Sequence, residues 1–167
     1  MFSDIFTDLG IPASYGLDPA RPKYELAPAL VDVEPNIVGQ MQQLTHSTAA
    51  AWSAMKAHAR ADGVSLLLVS GFRSIERQVE LIRRKLELGQ SLEEILKVNA
   101  APGYSQHHTG QAIDIATLGC PPLTEAFEST PAYGWLCRHA GEFGFALPYG
   151  RENQFGFAYE PWHWSTL

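Results

Sequence analysis

The segment from Ser105 to Asp114 (SQHHTGQAID) carries side chains that could bind a metal ion. Two adjacent histidines, His107 and His108, precede Asp114, and Gly110 lies between the histidines and the aspartate. A hydrolytic zinc site needs about three protein ligands with nitrogen or oxygen donors and one position left for water. On spacing alone, either histidine could ligate together with Asp114. Gly110 allows the tight turn that would bring the two ligands together.

A second candidate segment, EPWHW, lies close to the C-terminus. It offers His163 as a third ligand and Glu160 as a carboxylate whose pKa aromatic neighbours could raise. A flat strand would point residues 160 and 163 to opposite faces, so both reach one metal only if the chain bends. Pro161 favours such an irregular strand. The segment therefore supplies a third ligand and a candidate general base.

A third segment, SGFRS, places Arg73 in a turn between a predicted buried strand and a predicted helix. Loops at such junctions often carry functional residues. A guanidinium there could bind a substrate carboxylate or a developing oxyanion. A structural arginine that donates to backbone carbonyls is an almost equally good interpretation of these residues alone.

The elements that must position these side chains form a mixed pattern of helices and strands. Apolar spacing predicts a helix from Ile37 to about Arg60, followed by a buried strand from Val64 to Val69. Ser74 and Ser91 are predicted N-caps of the next two helices. These helices would end near Leu88 and Val98.

The second half of the chain continues this irregular alternation. It is predicted to contain a strand from Gln111 to Ala116, a helix that opens at Pro131, and closing strands at 145–147 and 155–164. The order fits an α+β fold better than a doubly wound parallel sheet. We expect a single compact domain in which a small, mainly antiparallel sheet carries the candidate site and helices pack around it.

The first 36 residues are rich in proline, which occurs at positions 12, 19, 22, 28 and 35. This composition predicts an irregular N-terminal arm, residues 1–36, packed on the domain formed by residues 37–167. Residues 1–10 lack the basic start, apolar segment and cleavage site of a signal peptide.

The composition excludes several classes of function. A net charge of −6 argues against nucleic acid or an anionic membrane as the main partner. No apolar run approaches the roughly 20 residues of a membrane span. Cys120 and Cys137 form no CxxC motif, so a cysteine-based zinc site is not expected. Free thiols are favoured over a single disulfide, and the sequence does not indicate an oligomeric state.

Together the three segments resemble the zinc D-alanyl-D-alanine carboxypeptidases of the VanY type. These belong to a wider group with the lysostaphin-type peptidases and the hedgehog signalling domain. The family carries SGxRS, SxHxxGxAxD and ExxH in this order, and here the motifs begin at Ser70, Ser105 and Glu160. The resemblance runs from about Val64 to Trp164. It includes the stretch EFGFALPY, which is similar to the family's GF-x-x-x-Y.

The resemblance implies one zinc ion per chain, held by His107 rather than His108, by Asp114 and by His163. The remaining roles follow from matching positions in the motifs. The resemblance implies Glu160 as the catalytic base, Arg73 as the residue that engages the substrate or transition state, and Ser105 and Gln78 as residues near the substrate.

The implied activity is hydrolysis of the terminal D-Ala-D-Ala bond of peptidoglycan stem peptides or their precursors. The family acts at the cell envelope, although no leader or anchor is visible in this sequence. An L,D-carboxypeptidase or a phage-lysin-type endopeptidase on the same scaffold is an alternative. A non-catalytic zinc-containing binding module is a second alternative. Glu160 argues against it, because a structural zinc site needs no base.

Overall fold

The computed structural model describes residues 2–167, which form helices packed around two small antiparallel sheets. The elements along the chain are, in order, α1 (Phe2–Leu9), β1 (Val31–Pro35), β2 (Met41–Leu44), α2 (His46–Ala61), β3 (Leu67–Ser70), α3 (Ile75–Glu87), α4 (Leu92–Val98), β4 (Ala112–Ala116), α5 (Pro131–His139) and β5 (His163–Ser165). Short 3-10 helices lie at Ala13–Leu17, Gln106–Thr109, Glu125–Ser129 and Ala140–Phe143. The predicted α+β class is confirmed.

The candidate site is built on the three-stranded sheet, whose strand order is β3-β4-β5. Strand β4 is buried along its whole length and pairs antiparallel with both neighbours. Asp114 of β4 lies opposite Ser70 of β3 and opposite His163 of β5. The register therefore brings one residue from each of the three sequence motifs to the same level of the sheet.

Two apolar clusters hold the fold together. The larger one joins the three-stranded sheet to α2 and α5 and includes the fully buried Met55, Ile113 and Leu136. The smaller one packs α1 and the residues after it, including Leu9, against Ile82 of α3 and neighbouring residues. A buried aliphatic side chain contributes about 1.5–3 kcal/mol, so the second cluster fixes the N-terminal stretch on the domain.

The predicted helix from Ile37 is wrong in its first part. A hairpin of β1 and β2 occupies this region, and α2 begins only at His46. The hairpin turn is fixed by Asn36, whose side-chain oxygen accepts from the backbone N–H groups of Val38 at 3.1 Å and Gln40 at 2.9 Å. Gly39 supplies a positive φ of 80° in the same turn. These local turn signals outweigh an apolar spacing that also suits a helix.

The N-terminal arm is less irregular than predicted, because it contains α1, a 3-10 helix and β1. Its first residue, Met1, lies outside the described residues. Its apolar side chains at Leu9, Ile11 and Tyr15 are buried, which favours local helical turns over an extended arm. The boundary between residues 1–36 and 37–167 stays a prediction.

The helix caps agree with the sequence. The Ser74 side chain accepts from the N–H of Arg77, and Ser91 forms a complete capping box with Glu94. The closing strands are shorter than predicted: residues 145–147 provide one bridge, Ala146 to Ser165, and the final strand starts only at 163. Over residues 2–167, no helix has the length and apolar character to cross a membrane. Both cysteines are free thiols.

Candidate metal centre

Three buried side chains meet beside the three-stranded sheet. His107 comes from the 3-10 helix at 106–109, Asp114 from β4 and His163 from β5, and their potential ligand atoms all lie within 4.8 Å of one another. The His107 Nε2 atom is 3.2 Å from Asp114 Oδ2, and His163 Nδ1 is 3.0 Å from Asp114 Oδ1. The structure thus brings together the three predicted ligands.

Gly110 makes the turn between the first two of these residues. It ends the 3-10 helix with a left-handed φ of 66°. A Cβ atom at this position would lie 2.8 Å from the Leu30 Cδ2 atom and 3.2 Å from the Thr45 backbone nitrogen. A side chain is therefore excluded both by conformation and by space.

A turn ahead of β5 removes the difficulty of placing residues 160 and 163 at one site. The His163 N–H donates to the Glu160 carbonyl at 3.1 Å, so the chain bends through Pro161 and Trp162 before the strand begins. Both Glu160 and His163 line the same cleft. The expected irregularity at Pro161 is present, and it puts the carboxylate and the imidazole on one side.

The outer nitrogen of each imidazole is held by an oxygen that can only accept a hydrogen bond. His107 Nδ1 lies 2.7 Å from the Gly71 carbonyl oxygen, and His163 Nε2 lies 3.0 Å from Gln106 Oε1. A proton on the outer nitrogen of either ring is satisfied by this acceptor. The inner nitrogens, His107 Nε2 and His163 Nδ1, point at the Asp114 carboxylate, at 3.2 and 3.0 Å.

Two imidazole nitrogens this close to a carboxylate need a proton or a metal cation between them and the carboxylate oxygens. Burial lowers the pKa of His163, so the doubly protonated ring is disfavoured. Burial raises the pKa of Asp114, but the two histidines outweigh it and hold this pKa well below its ordinary value. An ionised carboxylate and two aligned imidazoles are the donor set of a catalytic zinc site, so the residues fit this metal.

His108 is engaged by the backbone on both sides of its ring. Its Nδ1 atom lies 2.5 Å from the Arg73 carbonyl oxygen, and its Nε2 atom accepts from the Gly103 N–H at 3.1 Å. It is 0% exposed, and burial lowers its pKa to about 4. Because no lone pair is left for a metal, the choice between the two histidines that spacing left open falls on His107.

Arg73 lies beside the metal centre and is held from two directions. Its Nη1 atom donates to Gln78 Oε1 and its Nη2 atom donates to Ser70 Oγ, both at 3.1 Å. The Nη2 atom is 3.8 Å from Asp114 Oδ2. The carboxamide of Gln78 also donates to the Ala100 carbonyl at 2.7 Å, so Gln78 is a support for the guanidinium.

Glu160 forms part of the wall of a cleft of about 330 Å³. Burial raises its pKa to about 8, and Asp114 adds to this effect, whereas Arg73 and Lys85 oppose it.

Ser105 also lines the cleft, and its hydroxyl accepts from the His107 N–H at 3.3 Å. The cleft is lined by Arg73, Gln78, Leu81, Lys85, Val98, Asn99, Ala100, Ser105, His107, Asp114, Leu123, Tyr149, Phe157, Glu160, Trp162 and His163.

Three residues of the site were assigned no role from the sequence, and Tyr149 was noted only as the last residue of the GF-x-x-x-Y stretch. Tyr149 stacks on His163 with ring centroids 4.6 Å apart and an interplanar angle of 27°. Gln106 accepts from His163, and Lys85 is a second cation in the cleft wall. Gln106 could have been identified from the sequence, because it lies between Ser105 and His107 in a motif. Lys85 could not, because it is one of several cations on its helix.

Comparison with known proteins shows which family the chain resembles. The VanY family, described as D-alanyl-D-alanine carboxypeptidase, matches residues 41–166. YodJ of Bacillus subtilis (strain 168) is 33% identical over 127 residues, which are 74% of this chain and 46% of the relative. The D-alanyl-D-alanine carboxypeptidase of Enterococcus faecalis (strain ATCC 700802 / V583) is 32% identical over 116 residues, which are 64% of this chain and 41% of that protein. The chain therefore spans less than half the length of these curated relatives.

Solved structures agree with this family. The LD-carboxypeptidase LdcB superposes with a TM-score of 0.73 and 32% identity over 88% of this chain and 70% of that one. A Zn(II) complex of the D,D-pentapeptidase VanY from a VanB-type vancomycin resistance cassette gives a TM-score of 0.65 and 25% identity, covering 85% and 79% of the two chains. On the match to three quarters of its residues, the chain belongs to the VanY family of D-alanyl-D-alanine carboxypeptidases.

Proposed function

We propose that this domain is a zinc-dependent carboxypeptidase that hydrolyses the terminal D-Ala-D-Ala bond of peptidoglycan stem peptides or their precursors. The observation that carries the proposal is the convergence of two imidazole nitrogens and the Asp114 carboxylate beside Glu160 in one cleft. Family membership supports the same class of reaction. Action on such peptides implies work at the cell envelope.

One zinc ion per chain would be held by His107 Nε2, Asp114 and His163 Nδ1. When bound, zinc supplies Lewis-acid activation of water and of the scissile carbonyl. The protein contributes the fixed ring orientations, because Gly71 and Gln106 hold the outer nitrogens. It also contributes a buried, weakly solvated pocket in which electrostatic interactions are strong.

Glu160 is proposed as the general base and then the general acid. Its carboxylate would take a proton from the attacking water and return it to the leaving amine. A pKa raised toward 8 by burial suits both steps, since the group can gain and lose a proton near neutral pH. In this role Glu160 is not a metal ligand.

Arg73 is proposed to bind the free terminal carboxylate of the substrate or the developing oxyanion. It keeps its positive charge, although burial lowers its pKa, because Asp114 and Glu160 stabilise the cation. Gln78 supports the guanidinium through a hydrogen bond of 3.1 Å. Ser105, which lines the cleft, would contribute to the substrate side while its hydroxyl also accepts from the His107 N–H.

Hydrolysis of an L,D bond is a second candidate function, and the similarity to the LD-carboxypeptidase LdcB favours it. In that reaction the substrate is a tetrapeptide stem, which ends in one D-alanine after an L-configured centre. The same metal centre and base would serve, because the chemistry at the carbonyl is unchanged. The two reactions differ only in how the cleft receives the residue before the scissile bond.

Mass analysis of two substrates tests these functions. The zinc-loaded protein is incubated with a muramyl pentapeptide and, separately, with a muramyl tetrapeptide. Loss of one alanine from the pentapeptide alone supports the D,D activity, and loss from the tetrapeptide alone supports the L,D activity. Cleavage inside the stem peptide would overturn both in favour of an endopeptidase. No cleavage with zinc bound would favour a binding module.

A further inference from the structure

Tyr24 belongs to the N-terminal stretch ahead of the matched family region, residues 41–166, yet it contacts the loop that bears His107. The Tyr24 N–H donates to the Gly103 carbonyl at 2.8 Å, and the Ala27 N–H donates to the His108 carbonyl at 2.9 Å. The N-terminal stretch is therefore hydrogen-bonded to both ends of the metal-binding loop.

The side chain of Tyr24 reaches further, to the second histidine. Gln106 is only 3% exposed, and its Nε2 atom donates to the Tyr24 hydroxyl at 3.3 Å. Its Oε1 atom lies 3.0 Å from His163 Nε2. A single carboxamide thus links the tyrosine of the arm to a candidate zinc ligand.

The position of this carboxamide fixes the imidazole ring of His163. The Tyr24 hydroxyl can donate as well as accept a hydrogen bond, so the contact fixes where the carboxamide lies. With its Nε2 atom engaged by Gln106, the ring points its Nδ1 atom at Asp114 Oδ1, at 3.0 Å.

We propose that Tyr24 and Gln106 are positioning residues for the metal centre, with Tyr24 holding the Gln106 carboxamide in place and Gln106 holding the His163 ring so that its Nδ1 atom points into the metal centre. This inference rests on the proposed function, because it takes zinc as the ion that His163 binds. It assigns to the N-terminal stretch a role in the site itself, beyond packing on the domain.

Zinc affinity, measured by competition with a chromogenic chelator, tests the proposal. Gln106→Met removes both polar groups and should weaken zinc binding by about 10–100-fold, the usual effect of losing a partner of a metal ligand. Gln106→Glu keeps an oxygen that accepts from His163 Nε2 and should stay near wild type. Tyr24→Phe should weaken binding by a smaller factor. It should add nothing in the Gln106→Met background, because the shared contact is already lost.

Tyr15→Phe is the matched control. The Tyr15 hydroxyl accepts from the Ala101 N–H at 3.1 Å, so this variant also removes one hydrogen-bonded hydroxyl from the arm. It touches no metal ligand and should lower thermal stability without changing zinc affinity. Equal zinc affinities for Tyr24→Phe and Tyr15→Phe, or for Gln106→Met and Gln106→Glu, would overturn the proposal.

Nitrogen-15 NMR of the metal-free protein provides a readout independent of activity. In wild type, His163 should give one set of ring signals, and these signals should broaden or multiply in Gln106→Met, because the ring is no longer held at Nε2. Several sets of His163 ring signals in wild type would refute the proposed positioning. Wild-type protein that binds no zinc would overturn the proposed function as well. Wild type that binds zinc no better than Gln106→Met and Tyr24→Phe would overturn only the inference.

Discussion

The guanidinium of Arg73 lies 3.8 Å from the Asp114 carboxylate, measured from Nη2 to Oδ2, and both residues line the cleft. One positive charge therefore stabilises the candidate ligand Asp114 and also lowers the pKa of the candidate base Glu160. The same two carboxylates keep the buried guanidinium charged. Because the charges at this site are coupled, the metal content of each variant must be measured together with its reaction rate.

Removing both candidate imidazole ligands should abolish zinc binding. We expect protein purified without chelator to contain about one zinc per chain, and His107→Ala with His163→Ala to contain essentially none. Metal analysis after gel filtration provides the measurement. His46→Ala, which changes an exposed histidine at the start of α2, is the control and should keep the metal. Full metal content in the double variant would exclude this ligand set.

Glu160→Gln should retain zinc and lose most turnover. The substitution keeps the shape of the side chain but removes its ability to accept a proton. We expect the rate to fall by a factor on the order of 10² to 10⁴. Metal content and the kcat for a muramyl peptide are measured on the same preparation. A variant that keeps its zinc and works near the wild-type rate would remove Glu160 from the role of base.

Glu160 should also make the stability of the metal-free protein depend on pH. Its pKa is raised from 4.5 in the unfolded chain to about 8 in the folded protein, so the folded state favours the neutral acid. Its contribution to stability is complete below pH 4.5 and is lost as pH rises toward 8. Glu160→Gln stays neutral and should lack this loss. Denaturant unfolding of both proteins should give a difference in stability that shifts in favour of Glu160→Gln with rising pH.

Lys85 offers a check on this interpretation, because it lowers the pKa of Glu160. In Lys85→Met the pKa of Glu160 in the folded protein should rise further, so the loss of stability should begin at the same pH and extend to higher pH. The same pH course for wild type and Glu160→Gln would mean that other groups dominate the titration.

The candidate site was largely predictable because three short motifs each encode a local structure. Ser74 caps a helix, Gly110 makes a left-handed turn, and Asp114 lies on a short buried strand. These local features fix where the motifs lie in the fold. The pairing of Asp114 with His163 then follows from strand register, which places the two residues opposite each other.

Two kinds of feature could not be predicted. The hairpin before His46 was mistaken for helix, because Val38, Met41 and Leu44 fit a helical spacing although the first two are 71% and 53% exposed. The contact of Tyr24 with Gln106 joins residues 82 positions apart, and no local pattern encodes such a contact. Periodicity records which residues are apolar, but burial depends on the packing of distant elements.

The role of Arg73 distinguishes a carboxypeptidase from an endopeptidase, since only the former must recognise a free terminal carboxylate. If Arg73 binds that carboxylate, amidation of the substrate terminus should remove most of this interaction. Arg73→Ala should then lose little further activity on the amide. If Arg73 instead stabilises the oxyanion, the variant should lose activity equally on the acid and the amide. A charge-assisted hydrogen bond contributes roughly 1.5–3 kcal/mol, so either loss should be about tenfold or more.

A cycle of two substrates and two proteins separates these cases, with kcat/KM measured for acid and amide on wild type and Arg73→Ala. Gln78→Leu is a useful third protein, because it removes the 3.1 Å hydrogen bond to Arg73 but keeps the charge. It should show the same pattern as Arg73→Ala with a smaller loss.

We expect strongly non-additive losses in this cycle, because the terminal carboxylate is the partner we propose for Arg73. Additive losses would exclude this pairing. Efficient cleavage of the amide by wild type would exclude the carboxypeptidase activity itself, since an enzyme that needs no free carboxylate acts within a chain.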